Sequence, residues 1–76
     1  MYYVYVIKSL KDNKCYTGCT RNIDERLNRH NRGRVKSTRN RRPFKLEHVE
    51  CFDNLSEARQ RESHLKKLSK IKFIAG

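Results

Sequence analysis

The sequence has no long apolar run, only eight acidic residues against 19 Lys and Arg, and too few cysteines for a dense disulfide framework. No apolar run approaches the length of about 18 residues that a membrane-spanning helix needs. The N-terminus leads straight into a strand-like segment rather than a signal peptide. These features predict a cytoplasmic protein without a membrane partner. Because 36% of the 76 residues are apolar and occur in periodic segments, we expect one small domain over residues 1–76.

Cysteine occurs three times, an odd number that fits a reducing compartment better than a disulfide framework. Cys15 and Cys19 lie four residues apart in a strand-like segment, which would separate their sulfurs by about 13 Å. One zinc ion needs sulfurs within about 4 Å of each other. We therefore interpret Cys15, Cys19 and Cys51 as small core or near-core residues.

Acidic residues number eight against 19 Lys and Arg, which gives a formal net charge of +11. In a domain of this size, such an excess predicts a polyanionic partner, and nucleic acid is the leading candidate. An acidic membrane surface is a weaker candidate, because no helix pairs a large apolar face with a basic one. Solubility alone is the alternative, but it needs less charge than this.

Three segments are predicted to be strands. Tyr2–Ser9 is rich in Tyr, Val and Ile, and Cys15–Cys19 follows it after a short polar turn. The short connection predicts an antiparallel hairpin. Phe44–Phe52 is the third strand, after a basic connector that ends at Pro43. Strict alternation along it would place Phe44 and Glu50 on the same face.

Two segments are predicted to be helices. Asn22 and Glu25 have the spacing of a capping box, and a helix follows to about Asn31, with Gly33 as its stop. Leu55–Ser69 is predicted to be a second, amphipathic helix, capped by Asn54 or Ser56. The basic tail over residues 66–76 is predicted to add a short further helix. The order β-β-α-β-α predicts the α+β class, with a small three-stranded, mostly antiparallel sheet flanked by helices.

The second predicted helix carries a carboxylate on its inward face. At about 100° per residue, Ala58, Glu62 and Leu65 point within roughly 60° of one another. A carboxylate buried against the core costs several kcal/mol of folding free energy unless a cation lies beside it. The cation could be an Arg or Lys in a structural ion pair, or a divalent metal ion. The residues alone leave both alternatives open.

Several short motifs together resemble one known family. They are Tyr3-Val4-Tyr5 on the first strand, Tyr16-Thr17-Gly18 on the second, Arg26 and His30 one turn apart, and Glu62. Their order and spacing resemble the GIY-YIG nuclease domain, in particular its small stand-alone bacterial members, over nearly the whole chain. The first Gly of the family name is Tyr3 here, and we expect no appended recognition domain.

The resemblance implies metal-dependent hydrolysis of phosphodiester bonds. By that resemblance, Tyr5 and Tyr16 are the motif tyrosines, Arg26 is the catalytic arginine, and His30 occupies a position that is His or Tyr in relatives. Glu62 is the single carboxylate that would bind one Mg²⁺ or Mn²⁺. Gly18 positions the backbone, and a glycine inside a strand also predicts that another group approaches closely.

The chemistry of these residue types suits that reaction. Arg26 can donate two hydrogen bonds to phosphate oxygens and stabilise developing charge. Neutral His30 is an easier base at pH 7 than a tyrosine, whose ordinary pKa is about 10, although a nearby cation can lower it. Whether Tyr5, Tyr16 or His30 activates the attacking water is left open.

The basic connector is predicted to contact the nucleic-acid backbone through Lys36, Arg39, Arg41 and Arg42. A charge run of this kind is otherwise a solvated loop. The leading hypothesis is a DNA endonuclease with little or no sequence specificity. The alternative is a nucleic-acid-binding module of the same fold with weak or no catalysis.

Overall fold

The chain runs through strands and helices in the predicted order. The computed structural model describes the backbone of residues 1–75 and the side chains of residues 1–67. Its elements are β1 (Tyr2–Ser9), β2 (Cys15–Thr20), α1 (Ile23–Asn31), a short 3₁₀ helix (Arg39–Arg41), β3 (Phe44–Phe52) and α2 (Leu55–Ala75). The predicted α+β class is confirmed. The separate helix predicted for the tail is wrong over residues 66–75, where α2 simply continues, and Gly76 lies outside the described residues.

β1 is the central strand of the sheet, whose order is β2-β1-β3. Both pairings are antiparallel, and Tyr5 lies opposite Gly18 on one side and Val49 on the other. The central position suits β1, because its Tyr, Val and Ile side chains fit a pleated surface that is covered on both faces. β2 is consequently an edge strand, and one of its edges is free.

A β-bulge in β3 changes which side chains share a face. The pairing of β1 with β3 shifts by one residue at Glu47, which lies between the partners of Val6 and Ile7. An extra residue of this kind reverses the side-chain alternation beyond it. The prediction that Phe44 and Glu50 share a face is therefore wrong: Phe44 packs toward α1, whereas Glu50 meets α2.

α1 covers the face of the sheet that carries Tyr5 and Ile7. These two side chains form a buried core with Phe44, and Ile23 and Leu27 of α1 pack against it. Tight packing of these apolar surfaces is the main term that holds a helix as short as α1 in place, because nine residues form no stable helix alone.

Polar contacts fix both ends of α1. Asn22 accepts the backbone N–H of Glu25 at 3.1 Å, as the capping box predicts. Gly33, at a φ of 76°, ends the helix in the left-handed region that favours glycine. The Asn31 side chain accepts the Phe44 N–H at 2.7 Å and donates to the Phe44 carbonyl at 3.2 Å. These two bonds join the end of α1 to the start of β3.

α2 covers the opposite face of the sheet and contacts all three strands. Asn54 caps it by accepting the Glu57 N–H at 2.8 Å. Ala58 is fully buried, so the helix approaches the sheet closely at that point. One turn further, Arg61 Nε and Nη2 donate to the two carboxylate oxygens of Glu50 at 2.8 and 2.9 Å. This two-point contact orients α2 on the sheet.

The Glu50–Arg61 contact predicts acid sensitivity. Hydrogen bonds from Arg61, and then from His48, lower the pKa of Glu50 from 4.5 to about 2. A carboxyl group with a depressed pKa in the folded state stabilises the fold above its ordinary pKa, and this stabilisation is lost as pH falls from about 4.5 toward 2. After allowance for solvent screening, we expect a loss of about 1–2 kcal/mol.

Urea unfolding at pH 6 and pH 3 measures this loss. The Glu50→Gln variant should lose less free energy of unfolding between these pH values than the wild-type protein. Glu47→Gln, which changes the exposed bulge residue of the same strand, should behave like the wild type. Equal acid sensitivity of Glu50→Gln and the wild type would contradict the assignment.

The cysteines are all free thiols. Cys15 and Cys19 are half-buried near the core, as predicted, but Cys51 is exposed and that part of the prediction is wrong. β3 is the other edge strand, so a side chain there has fewer neighbours to cover it. Among the described residues, no helix is long and apolar enough to cross a membrane.

Candidate functional site

A cleft of about 420 Å³ opens at the free edge of β2, where that strand meets both helices. Four of the predicted site residues line it: Tyr16, Gly18, Arg26 and Glu62. Tyr16 and Gly18 come from β2, Arg26 from α1 and Glu62 from α2. The topology thus gathers residues that lie up to 46 positions apart in the sequence (62 − 16) into one concave surface.

Tyr5 and His30 lie directly behind the cleft wall and are hydrogen-bonded to each other. The Tyr5 hydroxyl is 2.9 Å from His30 Nε2, and His30 Nδ1 is 2.8 Å from the Thr38 hydroxyl. Thr38 in turn donates to the Val35 carbonyl at 3.4 Å. Since the Thr38 proton is used in that bond, its oxygen accepts the proton of His30 Nδ1. His30 Nε2 is therefore the acceptor of the Tyr5 proton.

The protonation states agree with this direction. Burial of the phenol, and then Tyr16, raise the pKa of Tyr5 to about 12, while Arg26 opposes them. Burial, and then the charges of Arg26 and Arg29, lower the pKa of His30. At neutral pH, Tyr5 is thus a phenol that donates and His30 is a neutral imidazole that accepts. Because His30 is fully buried, it cannot contact the attacking water directly. It can act as a base only by accepting the proton of Tyr5.

Gly18 brings the Tyr5 hydroxyl to the cleft wall. A Cβ at this position would lie 2.5 Å from the Tyr5 hydroxyl oxygen and 2.6 Å from Cζ, closer than real contacts allow. Tyr5 is held by the central strand and cannot move away cheaply. Because Gly18 has no side chain, the Tyr5 hydroxyl can lie against its backbone, and Gly18 itself lines the cleft. The close approach predicted for Gly18 is made by Tyr5.

Tyr16 and Arg26 are half-buried and face the cleft. The Tyr16 ring packs against the His30 imidazole with 4.9 Å between ring centroids, and against Tyr5 at 6.4 Å. Arg26 lies near enough to the Tyr5 hydroxyl to lower its pKa. Aromatic packing thus holds the two phenols and the imidazole together beside Arg26.

Glu62 faces the cleft from α2, with its side chain 21% exposed. Its partner is Lys66, one helical turn on, at 3.1 Å. Of the cations that the sequence left open, the one that pairs with Glu62 within residues 1–67 is a lysine and not Arg26. The Lys66 side chain is 57% exposed, and an exposed pair of this spacing is worth about 0.3–0.5 kcal/mol. The carboxylate can therefore be released for another cation at little cost.

The donor set fits a small divalent cation. No group of three or more His, Cys, Asp or Glu side chains comes together within the described residues. Mg²⁺ commonly takes one or two carboxylates and completes its shell with phosphate oxygens and water. Glu62, in an open and polar cleft, offers one such carboxylate with space beside it. A site of this kind would be completed by the substrate.

The basic connector lies apart from the cleft, and part of its charge is already engaged. Arg41 Nε donates to Asp12 at 3.0 Å and its guanidinium lies over the Phe44 ring at 5.7 Å. Arg42 Nε donates to the Arg39 carbonyl at 3.0 Å. Within the described part of the chain, neither these residues nor Lys36 line the cleft. Their contact with a nucleic-acid backbone stays a prediction.

Three residues of the site region carry no motif and were not predicted. Thr38 lies in an irregular connector, where no periodicity indicates its burial beside His30. Arg21 follows β2, and Arg59 precedes Glu62 by three positions. The helical spacing of Arg59 and Glu62 was the one available signal, because residues three apart share a helix face.

Comparison with known proteins points to one family. Residues 1–73 match the family model described as the GIY-YIG catalytic domain. The chain is 46% identical over 71 residues to a UPF0213 protein of Clostridium perfringens, covering 92% of this chain and 75% of that protein. It is 46% identical over 72 residues to a UPF0213 protein of Natronomonas pharaonis, covering 93% and 84%. It is also similar to the solution NMR structure of a UPF0213 protein from Bacillus halodurans, with a TM-score of 0.54, 34% identity, and coverage of 99% and 84%.

Proposed function

The chain belongs to the GIY-YIG catalytic domain family, and from that premise we propose that it is a metal-dependent endonuclease that hydrolyses phosphodiester bonds in DNA. The family consists of nucleases that usually use a divalent metal ion. The observation that carries the proposal is the convergence of Arg26, Tyr16 and Glu62 on one cleft, with the Tyr5–His30 pair behind Gly18.

Arg26 binds the phosphate that is cleaved. Its planar guanidinium can donate to two phosphate oxygens at once and stabilise the negative charge that grows on them in the transition state. The half-buried position in the cleft strengthens this interaction, because less water competes for the charge. Phosphate contacts carry no sequence information, which supports low specificity.

Tyr5 and His30 form the proton path. The oxygen of a water molecule attacks phosphorus, and the bond from phosphorus to the leaving oxygen breaks. As the attack proceeds, Tyr5 takes a proton from the water and passes its own proton to His30 Nε2, 2.9 Å away. The Nδ1 proton stays on His30, hydrogen-bonded to the Thr38 hydroxyl oxygen, so the imidazole becomes an imidazolium. Solvent protonates the leaving oxygen. Tyr16 orients the water from the cleft side.

Glu62 would hold a divalent cation, either Mg²⁺ or Mn²⁺. When bound, that cation would polarise the phosphate and stabilise the leaving oxygen. Lys66 gives up its exposed contact with Glu62 and remains nearby as a positive charge. The carboxylate comes from α2 and Arg26 from α1, so the phosphate would be held between the two helices.

Plasmid nicking tests the proposal. Wild-type protein should nick supercoiled DNA with Mg²⁺ or Mn²⁺ and fail to do so with EDTA. Arg26→Ala should nick about 10²-fold more slowly, the usual cost of removing one transition-state donor. Arg32→Ala removes an exposed charge just after the same helix, outside the cleft, and should retain the wild-type rate.

Two results would overturn the proposal. Equal nicking by wild type and Arg26→Ala would indicate a contaminating nuclease. DNA binding without nicking, unchanged by metal, would instead support the alternative, a nucleic-acid-binding module of the same fold.

A further inference from the structure

The cleft holds more positive charge than the proposed reaction uses. Arg21 and Arg59 line it together with Arg26, and both are exposed. Neither takes part in the proton path or holds the scissile phosphate. Glu62 is the one acidic side chain in the cleft lining, and Lys66 already pairs with it.

Two arginines elsewhere in the fold are paired with acids. Arg41 lies 3.0 Å from Asp12, and Arg61 lies 2.8 Å from Glu50. Within residues 1–67, Arg21 and Arg59 have no acidic partner at salt-bridge distance. Unpaired guanidinium groups that converge on one cleft repel each other unless an anion lies between them. This arrangement favours binding of a second phosphate.

An aromatic ring lies at the same end of the cleft. The Arg21 guanidinium is 5.5 Å from the centre of the Tyr2 ring, and Tyr2 is half-buried in the cleft wall. This end follows Thr20, the last residue of β2, away from Tyr16. Aromatic rings beside arginines are the features on which single-stranded nucleic acids stack their bases.

We propose that the Tyr2–Arg21 end of the cleft binds an unpaired nucleotide next to the scissile phosphate. Arg21 and Arg59 hold the phosphate of this nucleotide, and its base stacks on Tyr2. A volume of about 420 Å³ suits a ligand of nucleotide size. A base inside a duplex cannot reach an aromatic ring in such a cleft unless it leaves the stack. The inference rests on the proposed function, which puts the scissile phosphate at Arg26 and Glu62.

The inference names a substrate class: DNA with an unpaired nucleotide beside the cleavage position, such as a single-stranded end or flap. Binding in EDTA, measured by fluorescence anisotropy, tests it without any cleavage. The probes are a labelled single-stranded oligonucleotide and the blunt duplex of the same sequence. Tyr2→Leu should weaken single-strand binding about 10-fold, within the usual effect of losing one stacked base, and change duplex binding less than about twofold. Tyr2→Phe keeps the ring and should bind like the wild type.

The two arginines are tested by salt dependence. Arg21→Ala and Arg59→Ala should each reduce the slope of log affinity against log salt by about 0.7 for the single strand. Lys14→Ala removes one exposed charge at the other end of β2 and should leave that slope unchanged. Because Arg21, Arg59 and Lys14 are all exposed, these variants should fold, and thermal unfolding checks this.

Each proposal can fail separately. If Tyr2→Leu and Tyr2→Phe bind alike, or if the arginine variants match Lys14→Ala, the nucleotide site is wrong even when the wild type nicks DNA. If the variants lose single-strand affinity as expected but the wild type never nicks DNA, the site stands and the nuclease proposal falls. Equal losses on single strand and duplex would also overturn the site, because they indicate general charge attraction.

Discussion

Replacing Glu62 by Gln should slow metal-dependent nicking by about 10³-fold, equivalent to about 4 kcal/mol of transition-state stabilisation. The substitution keeps the size of the side chain and removes its charge, so the cation loses its one carboxylate in the cleft. The fold should remain intact, because the ion pair that Glu62 forms with Lys66 is exposed and worth only about 0.3–0.5 kcal/mol. DNA affinity measured in EDTA should be unchanged or slightly higher, since a negative charge has left a basic cleft.

A matched variant distinguishes an effect on the cleft from a general effect of removing a charge from α2. Glu57→Gln makes the same change in the first turn of α2, at an exposed position outside the cleft, and should nick at the wild-type rate. Titration with Mn²⁺ gives a second readout that does not depend on turnover: the wild type and Glu57→Gln should bind the ion more tightly than Glu62→Gln. Similar Mn²⁺ affinities for all three would refute the assignment of Glu62.

The features that could be predicted from the sequence are those set by a short repeat in the pattern of apolar residues. Alternation of apolar residues defined β1 and β2, and the 3.6-residue period defined α1 and the start of α2. Because those periods also fix which way a side chain points, the inward direction of His30 and the position of Glu62 on the face of Ala58 followed from them. The motif order then indicated which of these side chains meet at one site.

The features that the sequence did not predict depend on contacts between distant segments. The bulge at Glu47 exists because β3 pairs with β1, and nothing within β3 alone identifies the extra residue. Thr38 lies eight positions from His30, in the connector just before the short 3₁₀ helix. Its polar neighbours in the sequence are typical of a solvated segment, whereas the path of the connector buries it completely.

The partner of Glu62 illustrates a choice that only distances decide. Arg26 and Lys66 were both available cations, one across the cleft and one a turn along the same helix. The i,i+4 pair forms because it requires no approach between elements, and it leaves Arg26 free to bind another anion. Arg26 in this state is better suited to bind phosphate than an arginine already paired with a carboxylate, so the weaker local contact supports the proposed function.

Replacing Tyr5 by Phe should lower the nicking rate by about 10³-fold, within the range for loss of a group that transfers a proton. The ring remains, so the core with Ile7 and Phe44 keeps its packing. His30 Nε2 loses its buried donor, which should cost about 1–3 kcal/mol in the free energy of unfolding. Urea unfolding measures that cost, and rates are compared where the variant is fully folded. Tyr3→Phe removes a hydroxyl from the same strand outside the cleft and should retain the wild-type rate.

The pH dependence of nicking distinguishes a proton path from a merely structural hydroxyl. Burial and the charges of Arg26 and Arg29 lower the pKa of His30 below its ordinary 6.5. Protonated His30 cannot accept the Tyr5 proton, so the wild-type rate should fall as pH drops through this lowered pKa and should be level above 6.5. The stability that neutral, buried His30 contributes should fade in the same direction: it is present above pH 6.5 and lost below it.

The residual nicking rate of Tyr5→Phe should not fall at low pH in this way, because this variant has no hydroxyl proton to pass to His30. An acid limb centred above 6.5 in the wild type, or one retained unchanged in Tyr5→Phe, would exclude His30 as the acceptor and leave Tyr16 as the group that activates water.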